Sequence, residues 1–179
     1  RKVTHKCYLP SNRAILELIN KTDGKFKVAY SMSGIVLEQL ERFAPEVIES
    51  FRELVNTGCV EILDETYHHT LSFLYSKDEF REQVELHNKK IRQLFNYKPK
   101  VFRNTELIYN NELATFVEGM GYTGILAEGA DHILGWRSPN FVYRPKGAST
   151  LKLLLKNYRL SDDIAFRFSE KGWEEYPLT

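Results

Sequence analysis

Apolar residues recur along this chain at two spacings, one typical of helices and one typical of strands. The helical spacing, bounded by turn residues, predicts helices at 13–20, 35–43, 45–55, 80–94 and 113–120. Short β-rich runs predict strands at 26–32, 60–63, 100–105, 122–127 and 151–155, with an extended piece at 141–144 and an irregular loop at 129–138. The chain therefore alternates strands with helices along most of its length.

Local signals mark several helix ends. Pro45 fits the first position of a helix, and Ser76–Glu79 forms a capping box. Asn110–Asn111 supplies a cap for the next helix, while Gly58 is an expected helix stop. Strands separated by helices of this size indicate parallel βαβ units, and the apolar run 151–155 suits a sheet covered by helices. The predicted fold class is α/β.

Composition narrows the function without naming it. The 179 residues include 25 Lys and Arg against 24 Asp and Glu, and 42% are hydrophobic, as in one ordinary globular domain. The net charge of +1 gives no electrostatic reason to expect nucleic acid or an anionic membrane as partner. Without a spanning segment or signal core we expect a soluble, cytoplasmic protein, although the chain does not begin with Met.

Carboxylates dominate the positions that follow the predicted strands. In parallel α/β sheets these positions meet on one face, where reactive groups collect. Paired carboxylates with aromatic side chains nearby suit sugar chemistry, and metal-assisted hydrolysis is the competing use. The candidates are Ser31, Ser33, Glu61, Asp64, Glu65, Tyr67, His68, His69, Glu106, Glu128, Asp131, Asp162 and Asp163.

Glu106 follows the third predicted strand, and its carboxylate could attack an anomeric carbon if Arg103 and Asn104 held it ionised. The alternative, a surface residue or a salt bridge to Arg103, is equally compatible with its position. Asp162 and Asp163 lie in a Ser-Asp-Asp run that also resembles a helix N-cap. One of the two could cap a helix while the other enters a cleft as a general acid.

His68 and His69 give only a weak metal signal, because neighbouring side chains on an extended segment face opposite ways. Substrate hydrogen bonding or ordinary packing is the alternative. Glu61 lies between apolar strand residues, so if buried it needs a substrate or an ion-pair partner. Three aromatic residues could stack on sugar or belong to the core or an interface: Trp136, Trp173 and Tyr176.

Three of these segments resemble motifs of family 57 glycoside hydrolases, in particular of the α-amylase-type members. They are residues 58–63 with Tyr67, His68 and His69, residues 102–109, and residues 160–169. Their order and spacing fit the family. The similarity also takes in residues 7–10 and 129–145, so it spans nearly the whole chain.

The resemblance implies part of an incomplete (β/α)7 barrel and a retaining mechanism on α-1,4-linked glucans, with no metal or other cofactor. It makes Glu106 the nucleophile and Asp163 the acid/base, with Asp162 as a supporting or capping residue. The expected partner is an α-glucan polysaccharide or maltooligosaccharide, and the oligomeric state stays open. The predicted substrate contacts are Glu61, His68, His69, Asp162, Arg103 and Trp136.

Two motifs of the family are missing. A His-Gln-Pro motif on the first barrel strand is absent, since His5 has a different context, and a fifth motif is expected beyond the last residue. We therefore predict that residues 1–179 are the central part of one catalytic barrel domain, without its first strand and its C-terminal region. Alone, such a piece could be inactive because strand edges stay unpaired.

Other functions stay open on the sequence. A 4-α-glucanotransferase would use the same carboxylates, although the 103–106 segment favours the amylase group. A metal-dependent hydrolase of the polysaccharide deacetylase type would use His68, His69 and a carboxylate. A non-catalytic glucan-binding remnant would use the carboxylates for binding alone.

Overall fold

Strands and helices alternate through residues 2–168, the part of the chain that the computed structural model describes. The strands are β1 Val28–Tyr30, β2 Val60–Ile62, β3 Val101–Arg103, β4 Gly124–Glu128, β5 Val142–Tyr143 and β6 Lys152–Lys156. The α-helices are α1 Leu9–Lys21, α2 Gly34–Phe43, α3 Pro45–Asn56, α4 Lys77–Phe95, α5 Asn111–Gly119, α6 Asp131–Leu134 and α7 Tyr158–Asp162. Trp173 and Tyr176 lie outside the described residues.

The strands that alternate with the long helices pair in parallel and in sequence order. β1 pairs with β2, and β3, β4 and β6 form a second parallel set. A parallel bridge between Asp64 and Phe102 joins the two sets, and the short β5 lies antiparallel at the edge against β6. This sequential order is that of a parallel barrel, and the strands do not close within the described residues.

The helices cover one face of the sheet. Val60 and Ile62 of β2 are buried in a core formed with α1, α2 and α3, and Phe102 of β3 is buried in a second core with α4 and α5. Glu61 lies between the two buried β2 residues and is only half-buried. Leu154 of β6 is 37% exposed, so the expectation of a covered sheet holds for one face only within residues 2–168.

Several sequence signals are confirmed in the structure. Pro45 begins α3, and the side chains of Ser76 and Asn110 accept backbone hydrogen bonds at the starts of α4 and α5. The predicted loop 129–138 contains the short helix α6. The first helix begins before the predicted residue 13, because a π-helical turn, Thr4–Tyr8, leads directly into α1. In the described residues no helix is long and apolar enough to cross a membrane.

A buried polar network lies where β2 ends. The Asp64 carboxylate accepts hydrogen bonds from Asn88 Nδ2 at 2.8 Å, from the Tyr122 hydroxyl and from His87 Nδ1. His87 Nε2 lies 2.7 Å from the carbonyl oxygen of Met32, just after β1. The network therefore ties the ends of β1 and β2 to helix α4 and to the segment before β4.

Both ring nitrogens of His87 face acceptors in this network, so a doubly protonated, positively charged ring satisfies both of them. Burial alone would lower the pKa of His87, but the hydrogen bond and charge of Asp64, together with the Met32 carbonyl, raise it above its ordinary value. A buried ion pair holds the carboxyl edge of the sheet together.

The first prediction concerns a substitution that removes this ion pair. The substitution His87→Gln leaves the Asp64 charge buried without a cation, so we expect the free energy of unfolding to fall by about 3–5 kcal/mol. Because the folded-state pKa of His87 is raised, its contribution is complete below the ordinary histidine pKa and is lost as pH rises through the raised value. Urea unfolding across a pH series, with the exposed His132→Gln as control, measures both effects. An equal pH dependence in the wild type and His87→Gln would contradict this account.

Glu118 on α5 holds the segment before β6. Its carboxylate accepts hydrogen bonds from the backbone N–H groups of Ser149, Thr150 and Leu151. These N–H groups, that of Thr150 first, lower the pKa of Glu118 to about 2. A charged carboxylate on α5 therefore fixes where β6 begins.

The second prediction tests this anchor. We expect Glu118→Ala to lower the thermal unfolding midpoint at neutral pH, because three backbone donors lose their acceptor. Since the folded-state pKa is lowered, the advantage of the wild type is present above the ordinary glutamate pKa and disappears as pH falls toward about 2. The matched control is Glu112→Ala on the same helix, whose carboxylate pairs only with Lys77 on the surface. A midpoint no lower than that of this control would refute the anchor.

Candidate active site

Glu106 is presented on a strained turn at the carboxyl edge of the sheet. The turn Thr105–Leu107 follows β3, and both Glu106 and Leu107 have left-handed backbone angles, with φ of 54° and 55°. Such angles cost about 1–2 kcal/mol per non-glycine residue, so surrounding contacts must hold them. The Thr105 hydroxyl lies 3.1 Å from that of Thr66, and Asn104 Nδ2 donates to the Ile108 carbonyl at 3.0 Å. This backbone conformation directs the Glu106 side chain outward, where it is 73% exposed.

The Glu106 carboxylate contacts His69 and not the residues expected from the sequence. His69 Nε2 lies 3.2 Å from Glu106 Oε1. The expectation that Arg103 and Asn104 hold this carboxylate is wrong, and so is the alternative salt bridge to Arg103. The Asn104 amide is directed to the Ile108 carbonyl, and Arg103 lines a neighbouring cavity.

Glu65 completes the cluster; the sequence marked it as a candidate at a strand end but assigned it no role. Its Oε2 lies 3.1 Å from His69 Nδ1, and its Oε1 accepts a hydrogen bond from Ser31 Oγ at 2.6 Å. The signals in the sequence were its place after β2 and its spacing of four residues from His69. The hydrogen bond to Glu65 is the largest cause that raises the pKa of His69, and Glu106 adds to it. The structure thus joins the ends of three strands through Ser31, Glu65, His69 and Glu106.

Two cavities adjoin this cluster. One, of about 610 Å³, is lined by Ser31, Glu65, His69 and Arg103 and by residues of α1 and α2. The second, of about 730 Å³, has Glu106 on its wall. Its other lining residues include Tyr109, Glu128, His132, Tyr143 and Arg144. A ligand in the second cavity would lie beside the Glu106 carboxylate.

Asp163 is buried on a π-helical turn, Asp163–Arg167, beyond β6. Within the described residues neither carboxylate oxygen has a hydrogen-bond partner, although Arg167 Nη1 lies 3.2 Å from Oδ1 without donor alignment. Buried polar atoms without partners are uncommon and often belong to functional sites. Asp163 and Glu106 both follow parallel strands at the carboxyl edge of the sheet.

The capping role expected for Asp162 is wrong. Asn157 is the N-cap of α7, because its side chain accepts from the Leu160 N–H at 3.1 Å. Asp162 lies at the other end of this helix, where its carboxylate is 3.7 Å from Lys156 Nζ. The helix begins before the Ser-Asp-Asp run, so the run sits inside helical backbone.

The remaining predicted residues lie apart from the Glu106 contacts. The His68 ring packs edge-on against Tyr67, with centroids 5.0 Å apart. Glu61 lines a separate cavity with Tyr97, and burial raises its pKa while Lys100 opposes the shift. Trp136 is 94% exposed beyond α6. Among residues 2–168 no three His, Cys, Asp or Glu side chains form a group that could hold a metal ion.

The loop that carries Glu65 and His69 is clamped onto α2. The Tyr67 hydroxyl donates a hydrogen bond to Glu38 Oε1, and the Tyr67 ring lies flat against Gly34. A Cβ atom at Gly34 would come within 2.4 Å of this ring. Only glycine therefore lets the loop approach α2 this closely.

The third prediction tests the clamp. We expect Gly34→Ala to displace the Tyr67 ring and to lower the free energy of unfolding by about 1–3 kcal/mol, as overpacking does. The matched control is Gly119→Ala at the end of α5, where nothing lies within 4 Å of the added Cβ and alanine favours the helix. Chemical denaturation of both variants measures the difference. Equal stabilities would show that the clamp does not constrain the loop.

Sequence comparisons place the chain among known proteins. All of it, residues 1–179, matches the sequence profile of Glycosyl hydrolase family 57. A Methanocaldococcus jannaschii protein that carries a provisional alpha-amylase name is 52% identical over 180 residues. The alignment covers 99% of this chain and 38% of that protein, so the chain spans less than half of its relative.

Solved structures show the same fold. The 4-alpha-glucanotransferase from Thermococcus litoralis superposes with a TM-score of 0.76 at 20% identity, over 93% of this chain and 26% of that one. A Mycobacterium smegmatis protein provisionally titled a polysaccharide deacetylase gives a TM-score of 0.64 at 16% identity, over 88% of this chain and 50% of that one. The parallel α/β arrangement is consistent with part of a (β/α)7 barrel. With the profile match over its whole length, the chain belongs to glycosyl hydrolase family 57.

Proposed function

We propose that this chain carries the catalytic carboxylates of a retaining glycoside hydrolase that cleaves α-1,4-glucosidic bonds in starch- or glycogen-like glucans. The observation that supports this most is the Glu106 turn, where a left-handed backbone places a carboxylate within hydrogen-bond distance of a histidine. Backbone strain held by surrounding contacts is a feature of functional sites. The alpha-amylase name of the Methanocaldococcus relative supports the same substrate class.

Glu106 and Asp163 divide the work of a retaining mechanism between them. Glu106 attacks C1 of the sugar while Asp163 gives its proton to the departing glycosidic oxygen, and a covalent glycosyl-enzyme forms. Asp163, now ionised, takes a proton from water, and the hydroxide attacks C1 and releases Glu106. Asp163 is buried and has no hydrogen-bond partner among the described residues, so its carboxyl group is free to bind the glycosidic oxygen.

The other predicted contacts bind the substrate in our proposal. Arg103 would hydrogen-bond sugar hydroxyls in the cavity that it shares with His69, while the exposed Trp136 ring would stack on a pyranose face. Asp162, His68 and Glu61 keep their predicted role as substrate contacts. Residues 1–179 stay our prediction for the central part of one catalytic barrel domain.

Transfer of the glycosyl group to a second sugar is the other outcome of the same chemistry. The Thermococcus structure with the same fold is a 4-alpha-glucanotransferase. Both outcomes share the glycosyl-enzyme and differ only in whether water or a sugar hydroxyl attacks it. Analysis of products from a single maltooligosaccharide distinguishes them, since transfer yields chains longer than the substrate.

The fourth prediction tests the two carboxylates in the full-length polypeptide. We expect Glu106→Gln and Asp163→Asn each to lower kcat on soluble starch by about 10³-fold, within the range for loss of a catalytic group. The surface variant Glu112→Gln is the control and keeps full activity. NMR of the first product shows retention of the α configuration.

The two roles can be assigned separately with an α-glycosyl fluoride as substrate and azide as an added nucleophile. In Glu106→Ala, azide takes the place of the nucleophile and gives a β-glycosyl azide. In Asp163→Ala, azide replaces water in the second step and gives an α-glycosyl azide. Full activity of Glu106→Gln, or an inverted product, would refute the proposed mechanism.

A further inference from the structure

The His69 ring lies between two carboxylates that differ sharply in environment. Its Nδ1 is 3.1 Å from Glu65 Oε2, and its Nε2 is 3.2 Å from Glu106 Oε1. The two carboxyl groups raise the pKa of His69, that of Glu65 most, and so favour the doubly protonated imidazolium, in which both ring nitrogens donate.

The two contacts of His69 are unequal. The Glu65 side chain is 3% exposed, and its other oxygen accepts from Ser31 Oγ at 2.6 Å. The Glu106 side chain is largely in solvent. An unpaired buried carboxylate is costly, whereas water screens and replaces contacts of an exposed one. The Glu65 contact is thus the one that fixes the ring.

We infer that Glu65 is a positioning residue for Glu106 and acts through His69. By accepting from Nδ1, Glu65 retains the proton on that nitrogen and directs Nε2–H toward Glu106 Oε1. This inference rests on the proposed role of Glu106 as nucleophile. The loop geometry supports it, because the Tyr67 clamp on Gly34 fixes the segment between Glu65 and His69.

The arrangement serves both halves of the reaction. With Nε2–H bound to Oε1, the other oxygen of Glu106 is left to form the bond to C1. In the resulting ester, Oε1 is the carbonyl oxygen and still accepts from Nε2–H. When water cleaves the C1–O bond, the electron pair returns to the Glu106 carboxylate beside the imidazolium. His69 keeps its protons throughout, so no further acid or base is needed.

Deprotonation of His69 would remove the hydrogen bond from Nε2–H to Glu106. The buried Glu65 holds the Nδ1 proton, so the proton on Nε2 leaves first. A lone pair on Nε2 would then face the Glu106 carboxylate, and attraction would become repulsion. Activity would therefore fall on the alkaline side. Besides Glu65 and Glu106, the ionisable groups that line the same cavity are Cys7, Tyr8, Tyr30 and Arg103.

The fifth prediction concerns a substitution that removes the charge of Glu65 and keeps the shape of its side chain. In the full-length polypeptide we expect Glu65→Gln to move the alkaline limb of kcat/KM toward lower pH by on the order of one unit, because His69 loses an adjacent negative charge. We expect kcat at neutral pH to fall about tenfold with little change in KM, as Glu65 acts through His69 and not on the sugar. Glu49→Gln, which removes a surface carboxylate on α3, keeps the wild-type profile.

NMR of the ring nitrogens gives a readout that does not depend on turnover. In the wild type we expect His69 to be doubly protonated near neutral pH and, when it loses a proton, to keep the one on Nδ1. The titration midpoint should be lower in Glu65→Gln.

A neutral form protonated on Nε2, or an unchanged midpoint in Glu65→Gln, would overturn the inference. The wild-type tautomer decides the question even if the variant does not fold. A wild type without glucan turnover would contradict the proposed function, while the titration still decides whether Glu65 controls His69.

Discussion

The ion pair between Asp64 and His87 is the interaction on which the carboxyl edge of this sheet depends. Neither strand β1 nor β2 is longer than three residues, so backbone pairing alone fixes their ends weakly. The Asp64 carboxylate gathers donors from α4 and from Tyr122, and His87 passes the connection on to the Met32 carbonyl. Buried charges in such a network have one good arrangement, because each alternative leaves an acceptor or a donor unpaired. The chain that follows Asp64 therefore leaves the sheet in a defined direction.

The path of the chain after Asp64 places the side chains of the candidate site. Glu65 follows Asp64 immediately and is buried, while His69 lies one loop further and is half-exposed. The Tyr67 ring against Gly34 fixes the chain between them. A chain of hydrogen bonds therefore runs from a buried carboxyl group, through a histidine, to a carboxylate in solvent. Each side chain in this series is more exposed than the one before it, from 3% at Glu65 to 73% at Glu106.

The fold of this family does not by itself specify which reaction its members catalyse. The chain superposes on a glucanotransferase and, less closely, on a protein titled as a deacetylase, and at such identities only the architecture is shared. What favours glycoside chemistry is the local arrangement of carboxylates on loops after β2, β3 and β6, together with the family profile.

The sequence by itself determined the alternation of strands and helices, the α/β class and the family. It also determined where three helices begin, at Pro45, Ser76 and Asn110. These follow from spacing and local hydrogen bonds, which act over a few residues and are legible in one segment at a time. It also predicted Glu106 and Asp163 as site residues from their motifs. It placed Asp162 wrongly as a cap, because Asn157 begins the helix earlier and a single helix has one N-cap.

Only the tertiary structure decided which groups meet. The partner of Glu106 is His69, 37 positions away in the sequence, and not the adjacent Arg103 or Asn104. Glu65 acquired its importance from burial beside Ser31, which depends on how β1 and β2 pair. Such contacts depend on the register of strands and on which side chains lose water, and neither is encoded in the spacing of residues along one segment.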